Sequence, residues 1–360
     1  MLPPHPDVAA DFDVRIPVSG GYTLGAQVFR SRAIQARGEP MPVVMCAHPY
    51  DNRRIAALHG TPLNGPPHQY RLIPQEGRPR FSTQTSWEAP DPNFWIPAGY
   101  AVVNLNLPGY GNSEGPATLL GEDQARAFFD AIEWVAQQPW CTGRIGLSGV
   151  SFLAISQYHV AACKAYGGRS PRGLCAISPW EGLTDVYRDS FHVGGVPEVG
   201  FPPAWWHTEV VPALRGPQAD FIRIEGSHPL DWHETHPLLD DFWRSKLPDL
   251  ARIELPMLVC GSFSDHELHS SGSFRAFTDC KSKHKYLYTH RRGKWDAYYA
   301  PEVQDLTRRF FDCYVRGLDN GFQHQPRVRL EVRRTRDTVH QVRGAADWPL
   351  PETQWSLLHL

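Results

Sequence analysis

Three side chains of this 360-residue chain combine the types and placement that acyl transfer requires: Ser151, Asp265 and His290. A serine hydroxyl becomes a nucleophile only when a base takes its proton. A histidine can do so near neutral pH, and a buried carboxylate fixes the imidazole tautomer and supports the imidazolium that forms. Each of the three follows an apolar run of strand length, so in a parallel sheet each reaches the carboxyl edge where reactive loops gather.

The stretch from Trp140 to Gln157 reads as a short strand, Arg144 to Leu147, a sharp turn at Gly149-Val150-Ser151, and a helix from Phe152. A hydroxyl on such a turn stands clear of the sheet at the positive end of the new helix. On this stretch alone Ser148 fits as well as Ser151, and a plain helix N-cap explains either. Asp265 follows the run Leu255 to Cys260, and His290 follows Lys285 to Tyr288. Asp is common in turns, and with 17 histidines in the chain a surface role for His290 is the ordinary alternative. His284, which precedes its strand, is the second candidate for the base. A tetrahedral oxyanion also needs donors. The Phe152 backbone N–H is the expected first one, and Tyr50, in the loop after an earlier strand, offers a hydroxyl for the second.

The elements that must position these residues alternate in kind. Residues 12–30 read as an antiparallel hairpin turning at Gly20-Gly21. Pro42 to Cys46 and Ala101 to Asn106 are continuous apolar runs of buried strands. Residues 121–138 carry Ala125, Phe128, Phe129, Ile132 and Val135 at helical spacing, with acidic residues in the first turn. A helix runs from Phe152 to about Tyr166, and Gly173 to Ser178 is another strand. The expected fold is α/β, a doubly wound and mostly parallel sheet. Residues 1–180 form its first part. Residues 181–250, dense in Trp, His and Pro, break the pattern and read as an inserted helical cap. Residues 251–322 resume the core, with a helix starting over Ser273 to Thr278 and another from Pro301 to Tyr314. Residues 323–360 alternate strictly at Arg327 to Arg333 and again at Gln354 to Leu360, as the start of a truncated C-terminal β unit. Residues 51–93 show no period, which in a compact domain marks a functional or partly disordered segment.

Composition narrows the function. The formal net charge is −2, with no basic field to hold nucleic acid. The seven cysteines are scattered without a Cys-x-x-Cys, so neither a disulfide framework nor a zinc site is expected, and a reducing, cytoplasmic setting follows. The first residues lack a basic, apolar leader, and no apolar stretch approaches the roughly 20 residues that span a bilayer. No cofactor or metal is called for. Aromatic side chains in loop-like segments, among them Trp180 and Trp205, suit the lining of a pocket.

Ser, Asp, His is also the chain order of the α/β-hydrolases, and four passages make the likeness specific. Pro42 to Arg54, Gly99 to Gly115, Ile132-Glu133-Trp134 through Gln138-Pro139-Trp140 to Ser151-Phe152, and Gly293-Lys294-Trp295 with Tyr298-Tyr299 resemble, in order, motifs of the cocaine esterase/glutaryl-acylase (CocE/NonD) hydrolases, which are related to the Xaa-Pro dipeptidyl-peptidases. The resemblance implies Ser151 as nucleophile, Asp265 as orienting acid, His290 as base, and Tyr50 with the Phe152 amide as oxyanion hole. It places Phe191 near the acyl group at the cap entrance. The chain departs from the family at Ala154, where a glycine is usual, at Pro108, where an arginine is, and around His290, where there is no Gly-Pro-Trp and the assignment leans on the Gly-Lys-Trp of one branch of the family. Most of the family's C-terminal jelly roll is missing. The implied activity is hydrolysis of a small-molecule ester or amide through an acyl-enzyme. The competing readings are an Xaa-Pro peptidase, with Glu181 or Asp185 holding the substrate's amine, an acyltransferase, and an inactive ligand-binding relative.

Overall fold

The computed structural model describes residues 2–53, 77, 80–265 and 268–358. Its strands are β1 (Val8–Pro17), β2 (Thr23–Ser31), β3 (Met41–His48), β4 (Ala101–Asn106), β5 (Cys141–Val150), β6 (Leu174–Trp180), β7 (His192–Val193), β8 (Val196–Pro197), β9 (Met257–Ser262), β10 (Lys285–His290), β11 (Val328–Arg333) and β12 (Val339–Ala345). Ten of them make one sheet in the order β1-β2-β4-β3-β5-β6-β9-β10-β11-β12. From β4 to β11 neighbouring strands are parallel, and antiparallel pairs close both ends. This is the mostly parallel, doubly wound α/β-hydrolase sheet expected from the sequence.

Burial on both faces explains why the central strands are apolar without interruption. Along β3 successive side chains alternate faces. Val43 and Met45 pack with Phe128, Ile132 and Leu153 on one side, while Val44 packs with Trp295, Phe310 and Phe311 on the other. The Glu122–Ala136 helix starts at Gly121 with no side-chain cap. A cap is worth about 1 kcal/mol. Burying Phe128, Phe129, Ile132 and Val135, at roughly 1.5–3 kcal/mol for a large apolar side chain, outweighs its absence.

One topological feature builds the site. β4 lies on one side of β3 and β5 on the other, so the loops leaving β3 and β5 diverge and open a crevice at the carboxyl edge. Tyr50 and Ser151 sit on those two loops. Between β6 and β9 the chain makes the β7–β8 hairpin and short helices, including Phe201–Trp205, Gln218–Glu225 and Asp241–Ser245. Trp206, Trp232 and Trp243 are buried among them. Lys246 ties this segment to the core by donating to Glu225 (2.6 Å) and to the Leu119 carbonyl (2.8 Å).

Several boundaries differ from expectation. β5 runs three residues past Leu147, as far as Val150, and β10 runs on to His290, so that histidine is part of a strand and not of the loop after it. The helix after Ser151 ends at Ala161, and Lys164–Tyr166 is a separate 3-10 turn. Most of the aperiodic segment 51–93, residues 54–76 and 78–79, lies outside the described residues. β11 pairs with β10 and β12 with β11, so residues 328–345 extend the main sheet. The strand expected over Gln354 to Leu360 does not form across residues 354–358, where Trp355, Leu357 and Leu358 are 82–90% exposed. Alternation makes a strand only beside a partner, and Pro349 and Pro351 interrupt pairing just before. Among the described residues no helix is long and apolar enough to cross a membrane.

Candidate active site

Ser151 occupies the turn between β5 and the Phe152–Ala161 helix with φ 58° and ψ −119°, a region that non-glycine residues rarely enter. The surroundings enforce it. The Ser151 N–H donates to the carbonyls of Trp180 (3.1 Å) and Glu181 (3.2 Å), and the Ser151 carbonyl accepts from Ala154 and Ile155 (both 2.9 Å). Gly149 is required one turn earlier, because a Cβ there would stand 2.5 Å from the Leu153 Cβ. Two flanking residues share the strain. Glu88 and Glu181 also have positive φ, 56° and 51°, and the Glu88 carbonyl accepts from Val150 (3.2 Å). Such strain costs about 1–3 kcal/mol per residue and persists only where packing over-determines it. Ala154, where the resembled family has glycine, meets Gly182, whose missing Cβ leaves the room: one added there would lie 2.8 Å from the Ala154 Cβ.

The imidazole that meets Ser151 is that of His269. Its Nε2 lies 3.2 Å from Ser151 Oγ, and its Nδ1 is hydrogen-bonded to Asp265 Oδ2. Asp265 leaves β9, and His269, four residues on, stands just before the Ser270–Asp279 helix. Lys294, at the start of the Lys294–Tyr298 helix, reaches the same carboxylate oxygen (Nζ to Oδ2, 2.6 Å) and lies 3.1 Å from His269 Nδ1. Burial alone would raise the Asp265 carboxyl, but the Lys294 ammonium and His269 hold it well below the usual carboxylate range. Burial lowers the basicity of His269, and Lys294 lowers it further against the pull of Asp265.

The structure brings Ser151 and Asp265 together but places His290 apart from them, against the sequence expectation for its position. Strand alternation puts His290 on the face of Tyr288, where it stacks on Trp180 (ring centroids 5.5 Å apart) and is fully buried. Its Nε2 pairs with Glu181 Oε1 (3.0 Å), and its Nδ1 accepts the Arg292 N–H (3.1 Å). The ring proton is therefore on Nε2 and committed to Glu181. Cys260 joins His290 and Glu181 in a buried group of metal-ligand types. The same protonation argues against a cation there, because a metal on Nε2 would leave the imidazole with no proton. His284, the other candidate, packs against the Tyr314 ring (centroids 5.3 Å apart, planes tilted by 43°) at the opposite end of β10.

Tyr50 lines the cavity in front of Ser151. The Trp205 indole N–H donates to its hydroxyl (3.1 Å), so the Tyr50 O–H is left to donate elsewhere. Burial pushes that hydroxyl well above its ordinary range, with Glu88 and Glu209 adding to the shift while Trp205 and Ser151 oppose it; it stays protonated. The Phe152 amide, in the first helical turn, has no carbonyl four residues back within its helix. Phe191 lines the cavity together with Ile155, Leu183, Val186 and Trp205. Trp180, expected to bind substrate, instead lies in the core under the site between Tyr288, His290 and Tyr298. It is the last residue of β6 and faces the opposite side of the sheet. The cavity holds about 40 Å³, and among the described residues that line it none is acidic. Glu181 is engaged by His290 and the Trp180 indole, and Asp185 by Arg188.

His269 and Lys294 are the residues bonded to Ser151 and Asp265 that the sequence reading missed. The signal for His269 was an Asp-x-x-x-His spacing at a strand end, which one helical turn can close into a hydrogen bond. Lys294 was visible within the Gly-Lys-Trp motif.

Comparison with known proteins agrees with the fold. The X-Pro dipeptidyl-peptidase (S15 family) profile matches residues 20–295. Cocaine esterase of Rhodococcus sp. (strain MB1 Bresler) is 25% identical over 97% of this chain and 62% of its own length. A CocE/NonD family hydrolase from Staphylococcus aureus superposes with TM-score 0.82 at 33% identity, covering 96% of this chain and 57% of that one. An aminopeptidase from a marine sediment Thaumarchaeota archaeon shares the fold, with TM-score 0.64 at 17% identity over 96% of this chain and 59% of that one. The chain thus spans less than two thirds of the length of these relatives.

Proposed function

From the membership of this chain in the X-Pro dipeptidyl-peptidase (S15) family, together with the CocE/NonD hydrolases, we propose that it is a serine hydrolase of small-molecule esters or amides. Ser151, His269 and Asp265 are its reacting set. The observation that carries the reading is the 3.2 Å approach of His269 Nε2 to a serine held on a strained strand-to-helix turn.

In the proposed reaction His269 Nε2 takes the Ser151 proton as Oγ attacks the substrate carbonyl. Asp265 accepts the Nδ1–H, which keeps Nε2 free for that proton and supports the imidazolium. The oxyanion is received by the Phe152 N–H and the Tyr50 hydroxyl. His269 then gives its proton to the departing alcohol or amine, leaving acyl-Ser151. Water attacks the acyl group while His269 takes its proton, and the acid leaves as the Ser151 hydroxyl is restored.

The cavity supports a short, apolar, uncharged acyl group. The cavity is narrow, about 40 Å³, and its walls are aromatic and aliphatic. The carboxylates expected to hold a peptide's free amine do not line the cavity: Glu181 Oε1 is bonded to His290 and the Trp180 indole, and Asp185 to Arg188, which favours ester cleavage over Xaa-Pro cleavage. A fluorophosphonate probe tests the reading: labelling is expected in wild type and Ser148→Ala and lost in Ser151→Ala. Folded wild-type protein that takes no label would sink it. Rates on p-nitrophenyl acetate, p-nitrophenyl benzoate and an Xaa-Pro p-nitroanilide should fall in that order.

A further inference from the structure

We propose that Lys294 is a positioning residue that shares Asp265 Oδ2 with His269 and thereby keeps the imidazole neutral, with its proton on Nδ1, until a substrate reacts. The inference rests on the serine-hydrolase reading above.

The geometry leaves one consistent proton arrangement. His269 Nε2 can accept from Ser151 only when Nδ1 carries the ring proton, and that proton points at Asp265 Oδ2. Lys294 Nζ is 3.1 Å from a nitrogen that is then itself a donor, so its hydrogens go to Oδ2 at 2.6 Å. Were Lys294 to donate to Nδ1 instead, Nε2 would carry the hydrogen and His269 could not act as a base. One carboxylate oxygen therefore serves two donors, one of them a fixed cation.

The consequence is electrostatic. In a plain His–Asp pair the buried carboxylate faces the imidazolium with a full uncompensated charge. Here Asp265 and Lys294 together are neutral, and an ammonium stands beside the ring that must become positive. The charged and titratable groups around His269 come from four elements: Asp265 after β9, Lys294 after β10, Glu181 after β6 and, facing Lys294, Glu88 before the elbow. Glu181 favours the imidazolium but is bonded to His290. Burial raises the Glu88 carboxyl to about 7 against the pull of Lys294. Lys294 itself stays charged, because Asp265, Glu181 and Glu88 outweigh the effect of its burial.

Removing the positive charge relieves repulsion in the imidazolium, so protonation of His269 becomes easier and the acid limb of its reactivity moves to higher pH. The rate of Ser151 labelling by a fluorophosphonate reads this in free enzyme, whatever the natural substrate. In wild type the midpoint should lie below the ordinary histidine value of about 6.5. Lys294→Gln retains an N–H donor without the charge and should raise the midpoint by about one pH unit or more. Lys294→Arg should leave it in place. An unchanged midpoint in labelled Lys294→Gln overturns the proposal, and so does an equal shift in Lys294→Arg. If Lys294→Gln does not fold, imidazole NMR of the wild type decides: a His269 resonance, assigned with His269→Ala, that titrates at or above about 6.5 overturns it. Folded wild type without label at any pH defeats the hydrolase reading instead, and the NMR titration still judges Lys294.

Discussion

Two buried histidine–carboxylate pairs stand at the ends of adjacent strands, and their rings are bonded differently. His269 with Asp265 follows β9, and His290 with Glu181 joins the end of β10 to the end of β6. Both histidines are at most 1% exposed. The difference lies in the free edge of each ring. His269 offers Nε2 to Ser151 and lines the cavity. His290 has both nitrogens committed, one to Glu181 and one to the Arg292 amide, and Trp180 covers its face. On the proposed reading, a buried histidine–carboxylate pair is by itself no signature of catalysis. The uncommitted nitrogen and a nucleophile within reach are.

The largest expected effect breaks the comparison outright. His269→Ala should lower kcat/KM toward a p-nitrophenyl ester by at least about 10⁴-fold, because Ser151 then has no base. The protein should stay folded by circular dichroism. His290→Ala should leave the kcat/KM of folded, label-competent protein within about tenfold of wild type, since no committed nitrogen of His290 takes part in proton transfer. The opposite pattern, with His290 essential and His269 dispensable, would restore the reading made from sequence.

The sequence failed here for a physical reason. Ser151, Tyr50 and Asp265 could be placed because each follows an apolar run whose carboxyl end defines the reactive edge of a parallel sheet. His290 satisfied the same rule, but β10 runs two residues further than Tyr288. That extension keeps its side chain within strand alternation, against Trp180. His269 precedes a helix and belongs to no apolar run, so periodicity could not point to it. Its four-residue spacing from Asp265 gains meaning only once the His269 N–H reaches the Asp265 carbonyl (3.1 Å). Trp180 failed likewise: composition says that it is aromatic and near a loop, not which face of β6 it takes. The parallel strands themselves were legible because burial on both faces leaves continuous apolar sequence. β12, with most of its residues exposed, carried no such signal.

The next effect in size concerns what stands in front of the base. Tyr50→Phe removes a hydroxyl already oriented by the Trp205 indole. The expected loss is about 10²–10³-fold in kcat, the usual scale for one oxyanion donor, with KM for p-nitrophenyl acetate little changed. Comparable falls in both labelling and stability would mean that Tyr50 only packs. The second pair then gives its own reading through stability. His290→Ala leaves the fully buried Glu181 carboxylate without its imidazole donor, and losing a hydrogen bond to a buried charged group costs about 1.5–3 kcal/mol. Urea unfolding should register that loss. A value below about 1 kcal/mol, the scale of a single exchanged hydrogen bond, would show that Glu181 finds another partner at once.

The smallest effect tests the other serine of the elbow. Ser148 is buried and hydrogen-bonded to the Tyr298 hydroxyl (3.0 Å), which ties β5 to the helix that begins at Lys294. Ser148→Ala should cost about 1 kcal/mol, rising toward about 3 if the Tyr298 hydroxyl stays unpaired, and should leave fluorophosphonate labelling intact. Tyr298→Phe should cost a similar amount. Because each variant already breaks the one shared bond, the double variant should be less destabilised than the sum of the two. Additive costs would mean that the bond contributes nothing. Ser148 would then be a bystander to Ser151 in structure as well as in chemistry.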